Sequence, residues 1–342
     1  MRQPWGLLMK NPFKYNVLVT GNDFCDREND IQELVEKVEN SVNVLLFSRR
    51  RYGKTSLIFE IFTHHLDENF VRVYVDLFGI NNEYDFLKRV AKGISASNLK
   101  KGIKARFKEL GKIFKRINFS LGLDQDGQPV FKPEIKQSDF DECFDELFDN
   151  FAAYLEGQGR QACFVFDEFQ QIREIGQPSL EACLRTKIQF HTHIAYVFTG
   201  SKTHILTDIF IDTRKPFYSL ADPRELKPIP EHKFYLFCAQ RFQRAKKELS
   251  EDAFALIYKL ARGETRFVQK VCHYLFNEKV KAIGQDDIYK VIQKMNLEND
   301  APFKMLMQAL TANQRLALKI LAEEQKNLFS TSICAKYSIA PQ

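Results

Sequence analysis

The stretch that most limits what this chain can fold into is Asn43 to Phe59, NVLLFSRRRYGKTSLIF. Val44 to Phe47 is an unbroken apolar run and reads as a buried strand. Ser48-Arg49-Arg50-Arg51-Tyr52-Gly53-Lys54-Thr55 follows it and fits G-x-x-x-x-G-K-[ST], with Ser48 in the first glycine position. Ser56 to Phe62 then has the apolar spacing of a helix laid on a sheet. In that order the loop's backbone N–H groups and the positive end of the helix dipole converge on one point, where an anion is stabilised. Gly53 has no Cβ to keep backbone from phosphate. Lys54 can reach the β- and γ-phosphates of a nucleotide, and Thr55 can set a hydroxyl on Mg²⁺. Residues Ser48 to Ser56 are therefore the candidate nucleotide contacts. On this stretch alone a solvated basic loop remains the alternative.

A second constellation lies about 110 residues further on. Phe164-Val165-Phe166-Asp167-Glu168 is a continuously apolar strand ending in two carboxylates. Beside a phosphate loop, Asp167 can hold Mg²⁺ and Glu168 can orient and deprotonate an attacking water. Either motif by itself is common; together they point to nucleotide hydrolysis.

Strands recur between helical stretches: Val71 to Leu77, Gln161 to Glu168, Ala195 to Thr199 and Arg224 to Ile229. That alternation predicts a parallel sheet covered on both faces. Asp26 is the expected N-cap of a helix carrying Ile31, Leu34, Val35 and Val38. Asn82 to Asn98 and the acid-rich Asp139 to Leu155 also read as helices. Lys100 to Arg116 holds eight Lys/Arg against Glu109 alone, and the residues after it form a hairpin around Asp124-Gln125-Asp126-Gly127. After Pro230 the strand signal stops, and Glu231–Lys247, Glu251–Ala261, Thr265–Ala282 and Asp286–Met295 are amphipathic. The expected domains are residues 1–230, a core with an insertion at about 99–137; residues 231–300, a helical domain; and residues 301–342, a last helix pair.

A hydrophobic content of 44% with 27% charged residues is that of a soluble globular protein, and 31 phenylalanines supply core mass. The net charge of +6 admits a nucleotide or nucleic-acid partner without requiring one. Seven scattered cysteines with no C-x-x-C read as buried, reduced thiols. No run approaches the ~18 apolar residues of a membrane span, so a cytoplasmic location is expected.

With both constellations in place, the chain resembles the AAA+ ATPases, and within them the archaeal-ATPase group allied to STAND-type signalling ATPases. The likeness runs from about Asp23 to Tyr337 and is best in Asp26-Arg27-Glu28, RRRYGKTSL, FVFDEFQ, FTGS and GETRFVQKVCHYL. It implies an α/β parallel-sheet core, a helical lid over residues 231–300, and a partial winged-helix segment at the C-terminus. It further implies ATP and Mg²⁺ as ligands. Phe24–Arg27 would border the adenine, and Thr199 or Ser201 would be the polar sensor of the γ-phosphate. Arg266 would be the lid cation that closes on nucleotide. No residue matches an arginine finger; Arg214 and Arg224 lie in the corresponding stretch.

The expectation is an ATP-binding and hydrolysing switch that acts on a protein partner or a second copy. A DNA-associated ATPase of the origin-recognition kind, binding duplex weakly and without sequence preference, is the alternative. A nucleotide-gated interaction module with little turnover is a further one.

Overall fold

A computed structural model describes residues 10–99, 102–136, 139–175, 178–201, 203–324 and 330–337. In chain order the strands of its main sheet and its hairpin are β1 (Val44–Phe47), β2 (Val71–Asp76), β3 (Asn118–Leu123), β4 (Pro129–Glu134), β5 (Ala162–Asp167), β6 (Ile194–Gly200) and β7 (Asp222–Glu225). Five of them form one parallel sheet in the order β2-β5-β6-β1-β7. The edge strand β7 starts two residues earlier than the sequence suggests and takes in Pro223, which an edge position tolerates, and it ends at Glu225, ahead of Pro228 and Pro230.

Side-chain alternation along these strands builds two cores. Cys163 and Val165 of β5 join Val44, Leu46, Ala195 and Val197 under α1 (Glu28–Glu39) and α2 (Lys54–His64). Phe164 and Phe166 point to the other face, with Leu45, Val73, Val75 and Phe198. That face is covered by α3 (Glu83–Ala96), α4 (Ile103–Ile113), α5 (Phe140–Asp145), α6 (Phe151–Gly157), α7 (Pro178–Ile188) and α8 (Thr203–Ile211). Many of the phenylalanines collect there: Phe166 stacks on Phe198 at 5.9 Å, and Phe169, Phe210 and Phe217 close round them. Each such ring removed from water contributes about 2–3 kcal/mol, so the carboxyl ends of β5 and β6 stand on a rigid floor.

Three local expectations change. Helix α1 begins at Glu28, and Asp26 is not its N-cap; Asp26 (φ 56°) and Arg27 (φ 85°) are left-handed, and Asp26 pairs with Lys233 at 2.5 Å. The turn sends the Arg27 side chain inward to backbone carbonyls. The acid-rich helix is broken by a π turn at Glu146–Asn150, which aims the Glu146 carboxylate at the backbone N–H groups of Lys115 and Arg116. The helix expected from Thr265 to Ala282 stops at Asn277.

Between β2 and β5 the chain forms the basic helix α4 and then the β3–β4 hairpin. Asp124 Oδ1 accepts from the N–H groups of Asp126 and Gln128 at 3.0 and 2.7 Å, and Gly127 supplies the positive φ the turn requires. Lys100 and Lys101 of the basic run lie outside the described residues. Leu110, Ile113, Phe114 and Phe131 anchor the insertion to the main core.

The chain divides after Ala282 into two compact units, a boundary that falls inside the expected 231–300 segment. The first unit ends with α9 (Glu231–Arg244), α10 (Glu251–Ala261) and α11 (Thr265–Asn277). The second holds α12 (Gln285–Glu298), α13 (Asp300–Ala309), α14 (Ala312–Glu324) and α15 (Thr331–Tyr337). Helix α13 has no counterpart in the sequence reading, since Pro302 argues against a helix; it sits in the first turn, where a missing N–H is tolerated. In the last helix pair Ile320 and Ile333 are buried while Leu316 and Leu321 are exposed.

Candidate nucleotide site

Because β5, β6 and β1 are adjacent and parallel, their carboxyl ends bring Asp167, Thr199 and the loop after Phe47 to one edge of the sheet. The loop from Ser48 to Gly53 delivers the chain into α2, with Arg51 (φ 67°) and Gly53 (φ 94°) left-handed before Lys54 starts the helix. Lys54 is buried, and its ammonium donates to Ser48 Oγ at 3.2 Å and to Ser48 O at 3.4 Å. Serine in the first glycine position is thus a partner for the lysine. Burial pulls the Lys54 ammonium below the ordinary lysine range, against the opposing pull of Asp167 and Glu168.

Asp167 is the centre of the site. Its Oδ1 accepts from Thr199 Oγ1 and, at 2.9 Å, from the N–H of Glu168. Its Oδ2 accepts from Tyr74 O–H at 2.5 Å and Thr55 Oγ1 at 3.2 Å. Burial first, and the Asp167 charge second, raise the Tyr74 phenol far above its ordinary range and keep it a donor. Glu168 leaves the strand at φ 52°, and its carboxylate accepts from Ser201 Oγ (3.1 Å to Oε2) and from Gln170 Nε2. Arg50 Nε in turn donates to Ser201 Oγ at 3.3 Å. Thr55, Asp167, Thr199, Glu168 and Ser201 therefore form one connected cluster.

Next to the loop lies a cavity of about 150 Å³, lined by Val17, Val19, Phe24, Tyr52, Ile229 and Gln269 among others. Arg27 stands at its edge, with guanidinium bonds to Tyr52 O (3.0 Å) and Lys227 O (2.6 Å). Arg51 pairs with Glu264 at 3.6 Å, Ser56 Oγ accepts from the N–H of Val19 at 3.4 Å, and Ser48 Oγ donates to the Arg49 carbonyl at 2.8 Å. Arg266 reaches the cavity wall, yet its guanidinium is held by Tyr15 O at 3.1 Å and Asn16 Oδ1 at 2.6 Å. Arg214 and Arg224 are both engaged locally, with Asp212 and with Asp30 and Glu33.

The donors facing one another at Thr55 and Asp167 are oxygens, the ligand class a hard divalent cation takes. Among the described residues no group of three or more His, Cys, Asp or Glu is built as a metal cage. Tyr74, Gln170 and the Tyr15–Val19 segment were not read from sequence. For Tyr74 the sequence showed only its alternation with Val73 and Val75 along a strand; the register that sets Asp76 opposite Asp167 is a property of the sheet.

A family described as an ATPase domain predominantly from Archaea matches residues 24–271, most of the chain and all of the cluster above. The chain belongs to this family. Its sheet, phosphate loop and paired carboxylates are those of a P-loop AAA+ ATPase. No curated protein matches the chain significantly. Among solved structures, the Walker-type ATPase PABY2304 of Pyrococcus abyssi is 18% identical, with 87% of this chain and 79% of that one covered and a TM-score of 0.59. The ORC2 protein of Aeropyrum pernix, in ADPNP–ADP complexes, is 14% identical over 96% and 82% with a TM-score of 0.60. Cdc6p of Pyrobaculum aerophilum is 16% identical over 83% and 70% with a TM-score of 0.50. At these identities the likeness is one of fold, and it extends through the helices after the ATPase sheet.

Proposed function

We propose that the protein binds ATP in the cavity beside Gly53 and hydrolyses it to ADP and phosphate, acting as a switch of the STAND-like kind. The observation that carries this reading is the Asp167 carboxylate, gripped by Thr55 and Thr199 next to the buried Lys54. Lys54 offsets phosphate charge, Glu168 takes the proton of the attacking water, and Ser201 or Thr199 reads the γ-phosphate. Val17, Val19, Phe24 and Tyr52 receive the base, bordered by Arg27. Thr55 and Asp167 would hold Mg²⁺, which neutralises the phosphates and orients the leaving group. Residues 231–300 act as the lid, with Arg266 as its cation, and the nucleotide state changes what residues 301–342, read as the start of a winged helix, present to a protein partner or second copy. A cytoplasmic setting agrees with seven free cysteines. Among the described residues no helix is long and apolar enough to cross a membrane.

A second reading is a DNA-associated ATPase, favoured by the cationic surface of the insertion, where Lys104, Lys108, Lys112, Lys115 and Arg116 are all exposed. Such contact would be with phosphates, weak, indifferent to sequence and lost steeply with salt. One experiment separates the readings: ATP turnover measured with and without Mg²⁺, with and without duplex DNA, at low and moderate salt. Mg²⁺-dependent turnover that ignores DNA supports the switch. Stimulation by duplex that fades with salt supports the DNA reading. Binding without turnover reduces the protein to a nucleotide-gated module, and absence of nucleotide binding overturns all three.

A further inference from the structure

Gln170 is among the most buried polar residues of the protein, 1% exposed, on the 3₁₀ turn that follows β5. Its amide Nε2 donates to Glu168 Oε2, while its Oε1 is buried with no hydrogen-bond partner. An orphaned buried carbonyl destabilises a fold, and the arrangement persists only where something else holds it. The amide cannot turn over to relieve it, because its oxygen would then face the Glu168 carboxylate. Room for the amide comes from Gly200 at the end of β6, where a Cβ would collide with Gln170 Oε1. Gly200 has an ordinary φ, so the glycine is required by this approach and not by its backbone. Ser201, the next residue, holds the same Glu168 carboxylate at 3.1 and 3.3 Å.

We propose that Gln170 is a positioning residue for Glu168: with Ser201 it fixes the carboxylate of the catalytic base, and Gly200 exists to admit its amide. This rests on Glu168 being the base, as argued above. Glu168 leaves the strand at φ 52°, and among the described residues the other hydrogen bond to its Oε2 comes from Ser201. A base free to swing loses the near-attack geometry on which its contribution depends. The orphaned Oε1 is then the cost of holding that geometry, and stability and activity should respond to its removal in opposite directions.

The test uses Gln170→Met in the full chain. Methionine keeps the buried volume and removes both the donor and the orphaned oxygen. The expected result is a kcat for ATP lower by ~10- to ~100-fold, with KM within about twofold and a Tm equal to or above that of the unmodified protein. Glu168→Gln, measured alongside, separates the two ideas. If Glu168→Gln abolishes turnover and Gln170→Met leaves kcat unchanged, the positioning role is wrong while the base stands. If Glu168→Gln turns over normally, the base assignment fails and the positioning role fails with it. A Gln170→Met protein that loses Tm and kcat together would mark the residue as packing, and would also overturn the proposal.

Discussion

Lys54 is a cation held out of water whose hydrogen bonds go to the carbonyl and hydroxyl of Ser48, groups without formal charge. Its ammonium is tolerated because Asp167 and Glu168 lie close enough to oppose the cost of burial. Phosphate would supply the partner it lacks. Lys54→Ala should therefore weaken ATP and ADP binding by about tenfold or more, the worth of a charge-assisted hydrogen bond. The same change should leave the melting temperature without nucleotide unchanged or higher, since a buried charge is removed; calorimetric titration and thermal melts check both. Glu168→Gln is isosteric and retains the contacts to Ser201 and Gln170 in outline. It should bind ATP normally and hydrolyse it about 100-fold more slowly or worse, because only the proton acceptor is lost. Hydrolysis at the unmodified rate in that variant would remove Glu168 from the mechanism.

At the scale of elements, the segment from Asn11 to Val19 behaves as a strap between α11 and the phosphate-loop helix. Phe13 is buried against Phe242 (4.7 Å) and Phe276 (6.0 Å), Asn11 donates to His273 O at 2.9 Å, and Val19 reaches Ser56. This strap holds the Arg266 guanidinium through Tyr15 and Asn16, so a nucleotide must draw that cation away to use it. Asn16 is exposed, and its loss disturbs no core. Asn16→Ala is expected to tighten ATP by a few-fold while leaving ADP alone, as the competing partner disappears. Arg266→Ala should do the reverse, weakening ATP by about tenfold and ADP less. Equilibrium titrations of both nucleotides decide the matter; equal weakening of the two in Arg266→Ala would confine the arginine to the strap.

For the whole molecule, pH acts through the sheet. His191 follows α7, and its Nδ1 meets the hydroxyl of the fully buried Tyr196 at 2.7 Å. Burial lowers its pKa from 6.5 to about 4, reinforced by His193 and Lys187 and opposed by Asp149. The unfolded chain thus takes up a proton in a range where the folded one does not. The contribution of His191 to stability is full above pH 6.5, falls as pH drops through the window to about 4, and has by then cost up to about 3 kcal/mol. His191→Asn, which keeps a hydrogen-bonding group beside Tyr196, should flatten that part of the curve. Denaturant unfolding at three pH values across the window measures the difference, and parallel curves for the two proteins would exclude His191 as the cause.

What the sequence determined by itself was whatever depends on neighbours along the chain. The apolar run, loop and helix of Val44 to Phe62 had to form a phosphate loop, because turn geometry, helix dipole and Gly53 are local. The run ending in Asp167-Glu168, the Asp-Gly hairpin and the helices after Pro230 were legible for the same reason. Tertiary structure decided everything that needs two distant strands side by side. Tyr74 reaches Asp167 only because β2 pairs with β5 in register. Gln170 reaches Glu168 only because Gly200, thirty residues on, leaves the space. Arg266 is held by Asn16 from the far end of the chain, a contact between loop and helix that no periodicity encodes. Local patterning sets which elements form, since backbone preferences act over a few residues. Which side chains share a site follows from sheet order and packing, where separation in sequence carries no information.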